Sequence, residues 1–391
     1  MSLMTLARRL RFGIPILAAA ALLICLTPTS RFGAGVLPSR LDDYAFWSIV
    51  TSFSEPNGYF RSDNLVSNEV VFQHVIPTLL AELQPMSAYV GVGPDQNFTY
   101  IAALRPPIAF IVDVRRQNLL LHLMYKAVFE LSPTRAEFLS RLFSRPVPSS
   151  SASPRARADV LLAGFENEDA DPLAYERNRT DIHNDLMRTH HFALSTEDLA
   201  GIDYVYRAFY TDGPDLRYSF GRGSGWQPFP SYRDLMDADD GQGVQRSYLA
   251  SEANYDAVRD LEERNLIVPV VGDFAGPKAL RSVGRYLDLH QATVSAFYTS
   301  NVEQYLFHDD FWQHFYGNVA ALPLGAHSTF IRSVFNNGGR AFFYGGLPPG
   351  QGGGIPGPRS ETLLNPISSL LAAYSEGRIG SYLDVVEISR Q

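Results

Sequence analysis

Cysteine is almost absent from this 391-residue chain. The single cysteine, Cys25, lies inside an N-terminal apolar run, so the rest of the sequence has no disulfide, thiolate metal cluster or cysteine nucleophile. The sequence also has no G-x-S-x-G motif, which excludes a hydrolase built on that nucleophile turn. Because disulfides are common but not required in exported proteins, the shortage of cysteine leaves the cellular compartment open.

Blocks of positive charge are also missing. Lysine occurs only at Lys126 and Lys278, and the formal net charge is −8. Proteins that bind nucleic acids draw much of their affinity from neutralising phosphates with clustered basic residues. We therefore expect no nucleic-acid partner.

The apolar run near the N-terminus is too short for a comfortable membrane span. The segment GIPILAAAALLICL has 14 residues, whereas a bilayer-crossing helix needs about 20. It follows the basic segment LARRLRF and precedes TPTS, which is the layout of a secretory signal peptide. We predict a signal peptide over 1–30, export to the periplasm or secretion, and no stable membrane span after cleavage. An uncleaved signal that anchors the protein in the inner membrane is the alternative.

Apolar side chains are abundant, at 46% of the residues, which is enough for a large core in a chain of this length. In the N-terminal half of the chain, segments whose apolar residues follow a strand pattern alternate with segments that follow a helix pattern. SAYVGVG and IAFIVDV are typical of buried strands, and NFTYIAAL and NLLLHLMYKAVFEL are typical of helices. This order predicts a β-α-β crossover and hence a parallel sheet.

The same alternation returns after residue 262. NLIVPVVGDF and ATVSAFYTS predict strands, GPKALRSVGRYLDLH predicts a helix, and NPISSLLAAYSEG and SYLDVVEIS are expected to close the chain as a helix and a strand. We predict a three-layer, mostly parallel Rossmann-like α/β sheet in two halves, 64–143 and 263–391. A loosely ordered lead-in (31–63) precedes the first half. A flexible linker (144–159) and a mostly helical insertion (160–262) separate the halves.

The turn YVGVGPDQNF has the pattern of a cofactor loop. Gly91 permits a sharp turn off the strand, Gly93 removes the side chain where a ligand meets the backbone, and the following helix N-terminus attracts negative charge. Asp113 ends the next strand, where an acid accepts hydrogen bonds from ribose hydroxyls. The pattern predicts a small-molecule nucleoside cofactor. A glycine turn between core strands, with Asp113 as a helix cap, is the alternative.

The spacing within the loop bears on which cofactor it suits. Gln96 stands where a dinucleotide motif has its third glycine, which disfavours NAD, although Arg115 and Arg116 suit a 2′-phosphate. The shorter G-x-G with an acid-tipped second strand suits S-adenosylmethionine better. After a later strand, Asp273 is placed to accept from an adenine amino group while Phe274 packs on the base. A cap for the following helix is the alternative for Asp273.

With these elements in this order, the chain resembles the class I, Rossmann-like S-adenosylmethionine-dependent methyltransferases. The segments YFRSDNLVSNE, GVGPDQNFTYIAALRP, AFIVDVRRQNLLLHLMYKAVFEL, LIVPVVGDFAGPKA and YTSNVEQYLF are similar, more narrowly, to an uncharacterised bacterial family with that methyltransferase-like fold. The resemblance covers most of 55–335 and implies a cofactor but names no substrate. The residues that it places at the cofactor are Gly91, Gly93, Asp113 and Asp273, with Asn64, Ser67 and Glu69 closing over its amino-acid end.

Three positions depart from the methyltransferase pattern. Tyr89 stands where an acid usually anchors the amino group of the cofactor. Asp95 replaces the third glycine of the methyltransferase pattern, which is one residue before the third glycine of the dinucleotide motif. The fourth strand ends in YTSNVEQY rather than in the Asn-Pro-Pro-aromatic motif of amino-group methyltransferases. Asn301 and Glu303 in that segment are candidates to orient or deprotonate a nucleophile. A polar strand end that hydrogen-bonds its own loop is the alternative.

Histidines and acids gather in one stretch of the predicted insertion. Asp181, His183, Asp185, His190 and His191 lie within eleven residues, but their spacing matches no standard set of metal ligands. We therefore predict no metal site.

Two functions of different kinds follow. The first is an S-adenosylmethionine-dependent methyltransferase whose insertion forms a lid or substrate pocket. The second is an exported, non-catalytic protein with a degenerate methyltransferase-like fold that acts as a ligand-binding or structural module. Export favours the second, because S-adenosylmethionine is made in the cytoplasm. An NAD(P)-dependent oxidoreductase is a third hypothesis, to which Gln96 is the chief objection.

Overall fold

The computed structural model of the chain describes residues 36–83, 86–149, 153–219, 229–336 and 359–390. The predicted signal peptide over 1–30, with Cys25, lies outside these described residues. Within them, no helix combines the length and the apolar character that a bilayer crossing needs.

A six-stranded sheet forms the centre of the fold. Its strands are β1 (Ala88–Gly91), β2 (Ala109–Asp113), β3 (Ile267–Val271), β4 (Val294–Ser300), β5 (Leu324–Asn336) and β6 (Arg359–Pro366). They lie in the order β3-β2-β1-β4-β5-β6, and only the last pair is antiparallel. This is the strand order of doubly wound Rossmann sheets, with an antiparallel edge strand added. The prediction of a mostly parallel α/β sheet is confirmed.

Strands β1, β2 and β3 are buried along their whole length, which is why their sequences are continuous apolar runs. In the parallel register, Val90 pairs with Phe110 on one side and with Phe297 on the other. Asp113 pairs with Val271 at the ends of β2 and β3. The carboxyl ends of β1 to β4 therefore meet at one edge of the sheet.

The helices pack around this sheet and around one another. They are α1 (Asp43–Phe53), α2 (Ile76–Glu82), α3 (Gln96–Leu104), α4 (Arg116–Glu130), α5 (Arg135–Phe143), α6 (Ala158–Glu166), α7 (Pro172–Asn184), α8 (Thr196–Asp212), α9 (Tyr232–Asp237), α10 (Glu252–Glu263), α11 (Ala279–Leu289), α12 (Val302–His308), α13 (Trp312–Ala320), α14 (Ile367–Ser375) and α15 (Tyr382–Ser389). Short 3₁₀ turns cover Phe72–Val75 and Gly213–Asp215, and a π-helical turn covers Asp185–Thr189.

The segment predicted as a mostly helical insertion contains helices α6 to α10. Of these, α8 packs against α4, and α10 packs against both α3 and α4. These helices belong to the same compact unit as the sheet, Ala34–Gln391. The insertion is therefore joined to the rest of the fold by packing against α3 and α4, and not by its linker alone.

The lead-in over 31–63 differs from the loosely ordered segment that its composition predicts. Its residues 43–53 form α1, which buries four apolar side chains and packs against β3. Beyond this helix, the Glu55 carboxylate accepts hydrogen bonds from the backbone N–H groups of Lys278 (2.8 Å) and Ala279 (2.9 Å) at the start of α11. The lead-in thus covers the sheet and supplies the N-terminal cap of a later helix.

The described part of 144–159 is also held in place, in contrast to the flexible linker that its composition predicts. The buried Arg135 guanidinium donates to the backbone oxygens of Pro154 (3.1 Å), Ala156 and Leu249 (2.6 Å). In addition, Arg145 donates to the Phe165 carbonyl at 2.7 Å. Two arginine side chains, of which Arg135 is fully buried, therefore fix a segment whose sequence is typical of a linker.

The prediction of a strand at SYLDVVEIS is wrong, because these residues form α15. Ser381 and Asp384 cap the start of this helix reciprocally: Asp384 Oδ2 accepts from the Ser381 N–H, and Ser381 Oγ accepts from the Asp384 N–H. Such a capping box favours a helix over the strand that the alternating apolar residues predict. Pro77 lies in the first turn of α2, where its missing N–H costs nothing.

Candidate functional site

A cavity of about 230 Å³ lies at the carboxyl ends of β1 to β4. Gly93, Asp113, Asp273 and Ser300 line it, each from the end of a different strand or from the loop after it. The chain runs from β1 to β2 and β3 on one side and returns to β4 on the other, so the strand order reverses between β1 and β4. Open parallel sheets bind their ligands at such a point.

Most of the site residues predicted from the sequence meet in this cavity. Gly91 and Glu303 are the exceptions, since neither lines it. The eight that do are Asn64, Ser67, Glu69, Gly93, Asp113, Asp273, Phe274 and Asn301. The fold therefore brings five separate segments of the chain to one place.

Gly91 makes room inside the protein rather than for a ligand. A Cβ atom at this position would collide with the Asn97 Oδ1 atom and would lie 2.9 Å from the Tyr89 hydroxyl. That hydroxyl donates to Asn97 Oδ1 at 2.8 Å, and both side chains are buried. The placement of Gly91 at the cofactor is therefore not supported. The Tyr89 hydroxyl is occupied by a hydrogen bond inside the protein.

Gly93 has the backbone conformation that favours glycine, with φ at +79°. Its carbonyl accepts from Asn97 Nδ2 at 3.2 Å and lies 2.9 Å from Nε2 of His122 on α4. Burial lowers the pKa of His122 to about 4, so the imidazole is neutral and Nε2 carries the proton that it donates. Two helices thus fix the shape of the loop after β1.

Asp113 faces the cavity as one half of a buried ion pair. Arg115 donates to it from Nε (3.1 Å to Oδ1), from Nη2 (3.1 Å to Oδ2) and from its backbone N–H (2.9 Å to Oδ1). The same guanidinium donates to the Asp63 carbonyl at 2.7 Å. The sequence indicated Arg115 only as a phosphate ligand, yet in the structure it holds the acid that was predicted to bind ribose.

Glu69 is a fully buried carboxyl at the floor of the cavity. The Tyr298 hydroxyl donates to it at 2.8 Å, and the hydroxyls of Ser300 and Ser333 donate as well. Burial raises the pKa of Glu69, and the three hydroxyl donors oppose that rise. Glu69 is therefore poised to respond to the charge of whatever occupies the cavity.

Asp273 does not cap α11, because Glu55 occupies that position. Its Oδ1 atom accepts from the Ala275 N–H at 2.8 Å and shapes the loop after β3. The neighbouring Phe274 packs against the rings of Phe297 (5.0 Å) and Phe315 (5.8 Å) while lining the cavity. An acid and an aromatic ring thus stand side by side at the cavity wall.

Glu303 lies outside the cavity and forms a buried ion pair with Arg332. Its Oε2 atom is 2.5 Å from Arg332 Nε, and the Tyr316 hydroxyl donates to Oε1 at 2.7 Å. The two charged side chains are at most 1% exposed. The prediction that Glu303 deprotonates a nucleophile does not fit this position, whereas Asn301 does line the cavity.

Sequence reasoning missed the aromatic residues at the mouth of the cavity, although two of them begin the segment YFRSDNLVSNE. Tyr59, which is 86% exposed, and Phe60 come from the lead-in, and Tyr218 comes from the insertion. The Phe60 ring meets Tyr305 edge-on at 5.2 Å. The lead-in and the insertion therefore build part of the site.

Negative groups outnumber positive ones around the cavity. Glu69, Asp113, Asp273 and Asp309 are its acidic residues, and Arg115 is the basic one. Arg115 already pairs with Asp113. The remaining acids favour a ligand that carries positive charge.

The comparisons with known proteins give a family but no activity. The family model described as Domain of unknown function (DUF7790) matches residues 65–344, which is well over half of the chain and includes most of the cavity residues. No curated protein matches the chain. The protein therefore belongs to the DUF7790 family.

Proposed function

We propose that this protein binds S-adenosylmethionine and is a methyltransferase-like protein of the class I, Rossmann-like type, whose methyl acceptor is not identified. The observation that carries this proposal is the convergence of the predicted cofactor residues on one cavity at the strand-order reversal. Residues that are more than 200 positions apart in the sequence, such as Asn64 and Asp273, meet there.

Asp113 is proposed to accept from the ribose. A carboxylate has about four acceptor positions, and the Arg115 side chain and backbone N–H already occupy three of those on Asp113. One ribose hydroxyl fits the remaining position, and a second would require Arg115 to move. The residue set thus fits the cofactor, with a ribose contact weaker than that of an unpaired acid.

Asp273 and Phe274 are proposed to hold the adenine, by a hydrogen bond and by ring packing respectively. The other end of the cavity offers Asn64, Ser67 and Glu69 to the amino-acid part of the cofactor. An ammonium or sulfonium group beside Glu69 favours its ionised form, which offsets the effect of burial on its pKa. The acid-rich lining therefore suits a cofactor with a net positive charge.

Bound S-adenosylmethionine supplies an activated methyl group, and the protein has only to align a nucleophile with it. With Glu303 committed to Arg332, Asn301 is the candidate to orient that nucleophile. The exposed mouth with Tyr59 is the route by which an acceptor would approach. Catalysis in this scheme rests on positioning rather than on a dedicated base.

An exported, non-catalytic ligand-binding or structural module is the second candidate. Two positions favour it: the Tyr89 hydroxyl is committed to Asn97, and Asp95 has a buried side chain that contacts Tyr248. Neither is available to anchor the amino group of a cofactor. The predicted signal peptide also favours the second candidate, because an exported protein would be separated from the cytoplasm, where S-adenosylmethionine is made.

Calorimetric titration of the purified protein with S-adenosylmethionine and S-adenosylhomocysteine tests the proposal. We expect both to bind, with S-adenosylmethionine the tighter because of its sulfonium charge. Asp273→Asn should weaken binding at least about tenfold, or about 1.4 kcal/mol, because the amide oxygen keeps the bond from the Ala275 N–H and the adenine amino group then faces an amide NH2 donor in place of an acceptor. Asp288→Asn, at an exposed position of α11, is the matched control and should leave the Kd unchanged.

The outcomes separate the two candidates. If neither ligand binds the wild-type protein, the cofactor assignment is overturned and the structural module remains. If binding occurs but Asp273→Asn matches the control, the adenine is not held as proposed. Transfer of a labelled methyl group to any acceptor by the wild-type protein would exclude the non-catalytic reading.

A further inference from the structure

A second cluster of charged side chains lies away from the cavity, where α1, α4 and the π-helical turn meet. The His190 imidazole is held between two carboxylates: Nδ1 lies 2.7 Å from Asp43 Oδ1, and Nε2 lies 2.6 Å from Glu130 Oε2. Asp185 Oδ2 is 3.7 Å from the same Nε2. The side chains of His190, Glu130 and Asp185 are only 11%, 12% and 10% exposed.

The contacts around Asp43 fix which way the imidazole is protonated. Asp43 Oδ1 accepts from Asn265 Nδ2 at 2.9 Å and can only accept from His190 Nδ1 as well. Nδ1 therefore carries a proton, and Nε2 points at Glu130 and Asp185. Because a nitrogen lone pair and two carboxylates repel one another, a positive species must lie between them: either a proton or a metal ion.

A proton on Nε2 satisfies only one of the two carboxylates. It bonds to Glu130, and it leaves Asp185 Oδ2 buried without a hydrogen-bond partner. An unpaired buried carboxylate oxygen is costly, because it has lost its water and gained nothing. The three atoms lie within 4.8 Å of one another, so a metal ion between them would contact all three after a small adjustment of the side chains.

The charges of the cluster point the same way. Asp43, Glu130 and Asp185 are three carboxylates, and Lys126 supplies one ammonium, 2.7 Å from Glu130 Oε1. Glu262 also neighbours Lys126, but burial raises the pKa of its carboxyl to about 8, so most of this side chain is protonated at pH 7. An imidazolium leaves the cluster one negative charge in excess, whereas a neutral imidazole with a divalent ion balances it.

We propose that His190 Nε2, Glu130 Oε2 and Asp185 Oδ2 bind a divalent transition-metal ion, with zinc the best match to one nitrogen and two oxygen ligands. Zinc holds such ligands at about 2.0–2.2 Å, so the imidazole and Glu130 need to separate by less than about 1 Å. Lys126 occupies the other oxygen of Glu130 and presents Oε2 to the ion. Three protein ligands leave a fourth position for water.

The surroundings of His190 match those of metal-binding histidines. Such residues usually donate their second ring N–H to a carboxylate, which orients the ring and raises its basicity, and Asp43 accepts this bond here. Asn265 in turn holds Asp43. The site thus has an outer layer of contacts as well as its three ligands.

The π-helical turn explains how Asp185 and His190 come together. The His190 N–H donates to the Asp185 carbonyl at 3.0 Å, which is the five-residue spacing of a π-helix. In an α-helix, residues five apart face different directions, whereas the wider π turn brings them to one side. Turns of this kind are frequent at functional sites. The metal would tie the insertion to α4 and, through Asp43, to the lead-in.

The test is a titration of the full-length protein, stripped of metals with a chelator, with zinc alone. We expect one zinc ion per chain and a rise in Tm on binding. Asp185→Asn replaces an anionic carboxylate ligand with a neutral amide and should weaken zinc binding at least about tenfold. Asp203→Asn is the matched control: Asp203 pairs with His183 Nε2 at 2.8 Å in the same region, but among the described residues it belongs to no group of three candidate metal ligands. This control should bind zinc like the wild type.

Absence of stoichiometric zinc binding by the wild-type protein would overturn the proposal. A proton on His190 Nε2, bonded to Glu130, would then be the positive species between these groups. An Asp185→Asn variant that binds zinc as tightly as the wild type would also overturn the proposal. X-ray absorption of the zinc-loaded wild-type protein avoids variants altogether. One imidazole with oxygen neighbours supports the site, and a spectrum without imidazole contradicts it. None of these results depends on whether S-adenosylmethionine binds.

Discussion

Replacing Arg332 with methionine is expected to lower the free energy of unfolding by about 3–5 kcal/mol, the usual effect of removing one partner from a buried ion pair. The Arg332 side chain is fully buried and bonds both Glu303 and Ser389 Oγ, the latter at 2.9 Å. Arg332→Met leaves the Glu303 carboxylate inside the protein without its cation. Urea unfolding of the two proteins measures the difference.

Arg378→Met is the matched control for this experiment. Arg378 pairs with Glu376 at 2.7 Å, but both side chains are more than half exposed, so its loss should cost less than about 1 kcal/mol. Combining Glu303→Leu with Arg332→Met removes both buried charges and should recover part of the stability. A loss below about 1 kcal/mol for Arg332→Met alone would show that Glu303 is not a structural anion, and would return it to the candidates for chemistry.

Asp95→Asn is expected to raise the free energy of unfolding at about pH 8 by up to about 4 kcal/mol. The Asp95 side chain is fully buried, its Oδ1 atom has no hydrogen-bond partner, and Oδ2 is 3.3 Å from the Tyr248 hydroxyl. Burial raises the pKa of Asp95 from 3.8 to about 7. Asparagine has nearly the same shape and carries no charge to desolvate.

The effect of Asp95→Asn depends on pH with a definite sign. Because the pKa of Asp95 is higher in the folded state, the stability that its neutral form contributes is full below about pH 3.8 and is lost as pH rises through about 7. The advantage of the variant should therefore be small at about pH 4 and largest above about pH 8. Asp256→Asn, at an exposed position of α10, should show no such trend. A constant difference across this range would refute the argument from burial.

The sequence predicted strands β1 to β4 well, because buried parallel strands are unbroken apolar runs. It missed β5, which carries Arg332 on a buried face and so breaks that pattern. It misread α15, since alternating apolar residues outweighed the capping residues Ser381 and Asp384. In each case a contact from elsewhere in the chain, or a cap, decided the structure where the local pattern pointed otherwise.

The site was predictable where its chemistry sits on strand ends. The positions of Gly93, Asp113 and Asp273 follow from strand order and spacing alone. The partners of these residues do not: Glu69 bonds Ser333, which is 264 residues away, and Glu130 meets His190 across 60 residues. Pairs of this kind depend on how helices and strands pack, and no local spacing encodes them.

The dependence of α11 on Glu55 has a practical consequence for producing this protein. A fragment cut to the family boundaries, 65–344, would omit Glu55, all of α1 and the β6 strand that pairs with β5. It would also lose Ser389, which bonds the buried Arg332. The family match marks only the part of the chain that relatives share. The protein expressed for biophysical work should therefore extend beyond 65–344 on both sides.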